Sequence, residues 1–274
     1  MTDNVMRVRT YPGPFASEIL QVWKRRELLY FLAWRDIKVR YSRTAIGILW
    51  AVFQPLAVMI VFTVFFGKIA GVPSENIPYY IFSYSGLIIW TYFSSSVSSC
   101  SESLLAGSNL ITKVYFPRII LPLSCLAVAM ADYIAAFGVF LLMALRSGIV
   151  PGAGIFFLPI VLVSGIISSA GLGIFLSALN VKYRDVRHVI PFFIQTMLFA
   201  SPVIYPSSML PEKYRWLMML NPVSGVIEAH RACILGYKLI NWHWLGISTL
   251  SGLVLLALGL VYFRRTERFF ADLV

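Results

Sequence analysis

The residues able to do chemistry in this chain are few and scattered. Asp132 sits almost at the centre of a long apolar stretch, Ile119–Leu145. A carboxylate at that depth is expensive to bury, so it is either an ion or proton site or a tie between helices. The scarcity of other charges within the apolar runs favours the tie. Glu228 and Arg231 stand three residues apart, a spacing that lets them pair on one helical face. The histidines, His188, His230 and His243, are widely separated and form no metal-ligand pattern, and no H-E-x-x-H occurs. Cys100, Cys125 and Cys233 show no C-x-x-C spacing and lie in apolar surroundings, as buried structural thiols do. The phosphate-cradling G-x-x-x-x-G-K-[ST] loop and the nucleophile elbow G-x-S-x-G are both absent. The chain is therefore expected to carry no catalytic, cofactor or metal residue of its own.

A second group of residues suggests binding. Arg35, Lys38, Arg40 and Arg43 run directly into Ala45–Phe66, 22 residues without a formal charge. As a helix that run would span about 33 Å, enough for a hydrocarbon core of about 30 Å. The basic residues fix its entrance on the cytoplasmic side, where they can also hold anionic headgroups. Trp50 and Phe53 share one face of this helix, beside a break at Gln54-Pro55. Such rings offer flat surfaces along which sugar C–H faces or acyl chains can slide. Trp90 and Tyr92 read either as lining residues or as an interfacial belt.

Positioning these residues requires a polytopic membrane protein. Hydrophobic residues make up 59% of the 274 and charged residues 13%. The formal charge of +11 is explained by topology, since 17 of the 23 Lys and Arg fall on segments expected inside, and no nucleic-acid partner is expected. Residues 1–15 read as a flexible leader and 16–44 as a basic amphipathic helix at the membrane interface. Residues 45–274 form the transmembrane domain. Its spans are expected at Ala45–Phe66, Tyr79–Val97, Ile119–Leu145, Ile155–Leu179, a short Val189–Ser201 and Leu245–Phe263. Gly165, Gly171 and Gly173 in the fourth allow close helix contact. That makes six membrane helices with both termini cytoplasmic. Between the second and third lies a polar segment, Glu102–Arg118, read as a short cytoplasmic helix and a turn. The prolines of 202–235 cut that region into pieces shorter than a bilayer, expected as re-entrant or surface helices outside.

Four blocks carry a resemblance: RDIKVRYSRTAIGILWAVFQP (Arg35–Pro55), VYFPRIILPLS (Val114–Ser124), NVKYRDVRHVIPFFIQTMLFASPVIYP (Asn180–Pro206) and NPVSGVIEAHRACILG (Asn221–Gly236). In this order they resemble the ABC-2 type permeases, and among them the membrane subunits of bacterial exporters of O-antigen, capsule or teichoic-acid polysaccharides. The resemblance implies an all-α integral membrane fold of the ABC-2, or type V exporter, architecture. It implies a homodimeric inner-membrane pore, driven by two separate ATPase subunits that bind ATP and Mg and move a lipid-linked polysaccharide. It implies a coupling helix at about 103–116, with Leu104, Lys113, Val114, Tyr115, Phe116 and Arg118 meeting the ATPase, and a second contact through Arg184 and Asp185. Trp50, Phe53, Gln54, Trp90 and Tyr92 would line the substrate pathway. Arg35, Lys38, Arg40 and Arg43 would meet a polyprenyl pyrophosphate. Pro202, Tyr205, Pro206, Asn221, Pro222, Glu228 and Arg231 would belong to the external gate. An ABC-2 exporter of a small drug or lipid, and an ion-coupled secondary transporter using Asp132, remain as alternatives.

Overall fold

The computed structural model describes residues 22–42, 46–149, 151–183, 185–267 and 270. The leader, residues 16–21 and 43–45, and the expected site residues Arg43 and Arg184 lie outside them. The described residues are all helical or irregular. In order they form α1 (Arg26–Ser42), α2 (Leu49–Phe62, continued by a π-helical turn at Thr63–Ile69), α3 (Tyr79–Ala106), α4 (Ser108–Lys113) and α5 (Ile120–Arg146). A 3-10 turn (Ala153–Phe157) leads into α6 (Leu158–Lys182), followed by α7 (Val186–Phe199), α8 (Glu212–Met219), α9 (Ser224–Leu235) and α10 (Trp242–Glu267).

Among the described residues four helices are both long and apolar enough to cross a membrane: Leu49–Ile69, Ile120–Arg146, Ala153–Lys182 and Trp242–Glu267. The central helix, α3, is long enough but more polar, and it is the most enclosed of the long helices. Its 28 residues pack against α5 and α6, with Phe82, Tyr84, Val97, Cys100 and Leu104 fully buried.

The serine-rich stretch after Tyr92, expected to end the second span at Val97, instead continues as helix to Ala106. Ser94, Ser95, Ser101 and Ser103 each donate to the carbonyl three residues earlier, at 2.6–3.3 Å. Turned back on their own helix, the hydroxyls are satisfied without breaking it. Leu104 therefore lies buried on this long helix, not on the short helix that follows it.

Pro55 is likewise carried inside α2, and the change of helical geometry falls later, at the π turn. Glycines seat α10 on α6. A Cβ on Gly171 would stand 2.7 Å from the Leu256 nitrogen, and one on Gly259 2.8 Å from the Gly171 carbonyl oxygen. Only bare backbone permits that approach.

The helix α1 does not simply lie beside the bundle. It follows α5, burying Leu32 and Ala33 while Tyr30, Phe31 and Trp34 stay exposed. At one end Arg25, just before α1, donates to the Tyr115 carbonyl at 3.0 Å; at the other Arg40 reaches Asp132. Asp132 lies near the middle of α5, far from either end.

The segment expected as a short fifth span forms α7, with 14 residues. At the usual helical rise that is roughly 21 Å, less than the thickness of a bilayer core. Two short helices then follow, α8, largely exposed, and α9, buried at every position. Cys100 and Cys233 are buried, and Cys100 Sγ contacts the Pro122 carbonyl at 3.0 Å.

Candidate functional site

The end of α1, the turn at Gly47 and the first turns of α2 enclose a cavity of about 230 Å³ against α5, lined by Arg40, Tyr41, Gly47, Trp50, Ala51, Gln54 and Asp132. Gly47 holds a left-handed φ of +59°. A side chain would resist that conformation. Arg40 Nη1 pairs with Asp132 Oδ2 at 2.7 Å, and the Tyr41 hydroxyl donates to Asp132 Oδ1. Asp132 is thus tied between helices, as the scarcity of intramembrane charges suggests. The Arg40 side chain remains 42% exposed against 14% for Asp132, so the cation is the accessible member of the pair.

Trp50 and Phe53 are exposed on the bare face of α2, with ring centroids 5.5 Å apart in an edge-on arrangement, and Gln54 is exposed beside them. The cavity thus joins the Arg40–Asp132 pair, an amide and the Trp50 ring at the flank of an apolar helix, with Phe53 packed against Trp50 outside its lining. Lys38 is exposed nearby in sequence, whereas Arg35 pairs with its neighbour Asp36 at 2.7 Å.

Trp90 and Tyr92 do not share this site. Both are buried in the α3 core, 5% and 1% exposed, and the Tyr92 ring packs against Tyr133. Because α3 runs on to Ala106, they lie mid-helix, and neither faces an open surface of this protomer.

Glu228 and Arg231, expected at an external gate, form the centre of a buried polar network on α9. Arg231 Nη1 stands 3.5 Å from Glu228 Oε1, and Lys238 Nζ stands 2.5 Å from Glu228 Oε2. Arg231 donates to the Val203 carbonyl at 3.1 Å and lies 3.8 Å over the Phe82 ring. Gly86 makes room, since a Cβ there would meet Arg231 Nη2 at 2.5 Å. His230 bridges the Ser85 carbonyl, at 3.1 Å, and the Tyr133 hydroxyl, at 2.9 Å.

These contacts bind α9 to α3, α5 and the 201–207 segment, so the pair is a clamp inside the protein and not a free gate surface. Pro202, Pro206 and Pro222 are buried alongside, Tyr205 is half-buried, and Asn221 donates to Ser201 at 2.9 Å. Lys238 was not singled out in the sequence. It follows Glu228 closely in a region of few charges, which is the signal that pairs them. Burial pulls its ammonium pKa down, but Glu228 and Tyr237 more than offset this and hold it above the ordinary lysine value.

At the opposite end of the bundle, α4 leads into an extended Val114. Lys113, Val114 and Tyr115 are exposed, Tyr115 at 74%, whereas Phe116 and Leu104 are buried. Arg118 donates to the Glu267 carbonyl and stacks 5.8 Å over Phe270, so it anchors the last helix and does not point outwards. Asp185 is exposed between α6 and α7. Asn180 is buried on α6 and donates to the Ser101 carbonyl at 2.9 Å.

A family model described as "ABC-2 type transporter" matches residues 27–235. The chain belongs to that family. The O-antigen export system permease protein RfbA of Klebsiella pneumoniae is 28% identical over 249 residues, covering 90% of this chain and 95% of the relative. The protein of that name from Myxococcus xanthus is 28% identical over 254 residues, covering 92% and 97%. The polysialic acid transport protein KpsM of Escherichia coli is 27% identical over 244 residues, covering 85% and 91%.

As an ABC-2 membrane subunit, this permease contributes membrane-crossing helices to a transporter. Its family match takes in the α1–α2 cavity, the exposed Lys113–Tyr115 turn and the Glu228–Arg231 pair of the clamp.

Proposed function

We propose that the permease forms, as a homodimer in the bacterial inner membrane, the pore through which a lipid-linked polysaccharide leaves the cytoplasm. Two copies of a separate ATPase, holding ATP and Mg, drive it. The observation that carries this reading is the α1–α2 cavity, because its parts match the two ends of such a substrate. Arg40, with Lys38 nearby, offers charge to a polyprenyl pyrophosphate at the cytoplasmic leaflet. Trp50 and Phe53 offer apolar faces to the first sugars, and Gln54 offers an amide. The names of the relatives support a glycan as cargo.

In this reading α3 and α7 join the four long apolar helices as spans, giving six, with both termini inside. The α8–α9 region lies outside. The exposed, thinly packed α7 flanks α2 of the second copy to leave a lateral opening. ATP binding closes the ATPase pair and presses on Lys113, Val114, Tyr115 and Asp185, biasing the pore between two states.

The test is export in a strain lacking the gene. The wild-type copy restores surface polysaccharide, and a Trp50→Ala/Phe53→Ala copy restores much less while reaching the membrane in normal amount. Full restoration by the double variant would remove the aromatic track. An ABC-2 exporter of a small drug or lipid predicts that deletion changes drug tolerance or lipid content and leaves the polysaccharide intact. An ion-coupled transporter would need Asp132 available to titrate, and its two contacts to Arg40 and Tyr41 weigh against that.

A further inference from the structure

A second cavity, of about 260 Å³, opens where several segments at the far end from Tyr115 meet. Glu75 comes from the α2–α3 loop, Ser208 and Arg215 from the 207–215 region, Glu228 from α9, Lys238 from the α9–α10 loop and Trp244 from the start of α10. The polar groups are held in fixed positions. Ser208 donates to Glu75 Oε1 at 2.7 Å, and Lys238 to Glu228 Oε2 at 2.5 Å. Arg215 donates to the carbonyls of Leu210 and Ser208 at 2.9 and 3.2 Å, and lies 3.6 Å from Glu212. Two carboxylates are thus set against two cations, beside a hydroxyl and an indole.

We infer that this cavity binds one neutral sugar residue of the emerging glycan. The inference rests on the polysaccharide reading above. A pyranose carries hydroxyls that both donate and accept, together with an apolar C–H face. Carboxylate oxygens accept from such hydroxyls, guanidinium and ammonium groups donate to them, and the indole covers the C–H face. A lipid tail would desolvate charged walls without return. A small anion or cation would meet balanced charge. Small-molecule pockets run from about 300 Å³ upwards, so this one takes a single ring and not a chain segment. Glu75 and Asn76 hold consecutive left-handed φ values of 56° and 62°. Two such residues in a row make a tight turn that fixes where the Glu75 backbone stands. A sugar held there resists backward slippage of the chain between ATPase cycles.

The experiment uses the full permease with its ATPase in lipid nanodiscs. The probes are methyl glycosides of each neutral monosaccharide recovered by hydrolysis of the host's surface polysaccharide, followed by saturation-transfer NMR. At least one glycoside is expected to bind, and Glu75→Gln to weaken it about tenfold through loss of a charge-assisted hydrogen bond. Ser208→Ala, a one-atom change on an exposed loop, is expected to weaken it in the same direction, which separates a binding effect from misfolding of the Glu75 variant. No bound glycoside, or binding indifferent to both substitutions, overturns the site. Deletion of the gene is measured in parallel. Unchanged surface polysaccharide overturns the export reading and the site with it, whereas lost polysaccharide with indifferent binding overturns the site alone.

Discussion

Removing the Glu228 carboxylate tests the buried clamp most severely. Arg231 is wholly enclosed, and its Glu228 partner is 5% exposed. In Glu228→Ala the guanidinium keeps Val203 and Phe82 but loses its counter-charge. Breaking a buried pair from one side costs about 3–5 kcal/mol, because the remaining charge stays desolvated. At about 2–4 °C per kcal/mol for a chain of this size, melting should fall by roughly 6–20 °C. Lys238→Ala removes the other partner of the same carboxylate. The Lys238 side chain is 34% exposed. Solvent screens a pair so placed, and its loss should cost only about 1 kcal/mol. The assay is thermal melting of the detergent-solubilised permease, followed by the fraction still eluting as a single species. Equal melting of Glu228→Ala and wild type, or a larger loss for Lys238→Ala, would refute the account of Arg231 as a charge that depends on Glu228.

Three further outcomes follow from particular contacts. A methyl added at Gly171 meets the α10 backbone at 2.7 Å. Gly171→Ala should therefore loosen the α6–α10 pair by about 1–3 kcal/mol, and unchanged melting would contradict that packing. Tyr115→Ala should abolish co-purification of the ATPase while leaving melting intact. Phe116 is buried, unlike its neighbour. Phe116→Ala should lower stability itself by about 3–5 kcal/mol, and the reverse pattern would misplace the docking turn. The Lys238 pair should add stability unchanged across neutral pH. Its pKa is raised above 10.5. The contribution is complete below the ordinary lysine value and disappears as pH rises through the raised one. A loss of melting between wild type and Lys238→Met that already vanishes near neutral pH would contradict this.

Much of the fold was legible because bilayer physics is simple. Long apolar runs marked α2, α5, α6 and α10, and glycines marked the α6 contact, where Gly171 lies bare against α10. The extent of α3 was not legible, because a serine reads as a helix end unless its hydroxyl is known to turn back on the carbonyl before it. That ambiguity put Leu104 on the following short helix, whereas it lies buried on α3, and the burial of Trp90 and Tyr92 comes from helices distant in sequence.

The α1–α2 cavity was half visible. Arg40 and Trp50 were identifiable by charge and type, but Arg40 and Tyr41 reach Asp132 across a long stretch of sequence, from the end of α1 to the middle of α5. The Glu228–Arg231 spacing gave the pair. Its burial came from neighbours distant in sequence, Phe82, Val203 and Lys238, which no local pattern announces.

The most direct test of the account is transport by the permease and its ATPase in inside-out membrane vesicles carrying the lipid-linked glycan. Accumulation of glycan inside the vesicles that requires ATP, persists without an ion gradient and survives Asp132→Asn in reduced amount is the predicted result. Accumulation that proceeds without ATP, collapses with the ion gradient and disappears in Asp132→Asn would contradict it.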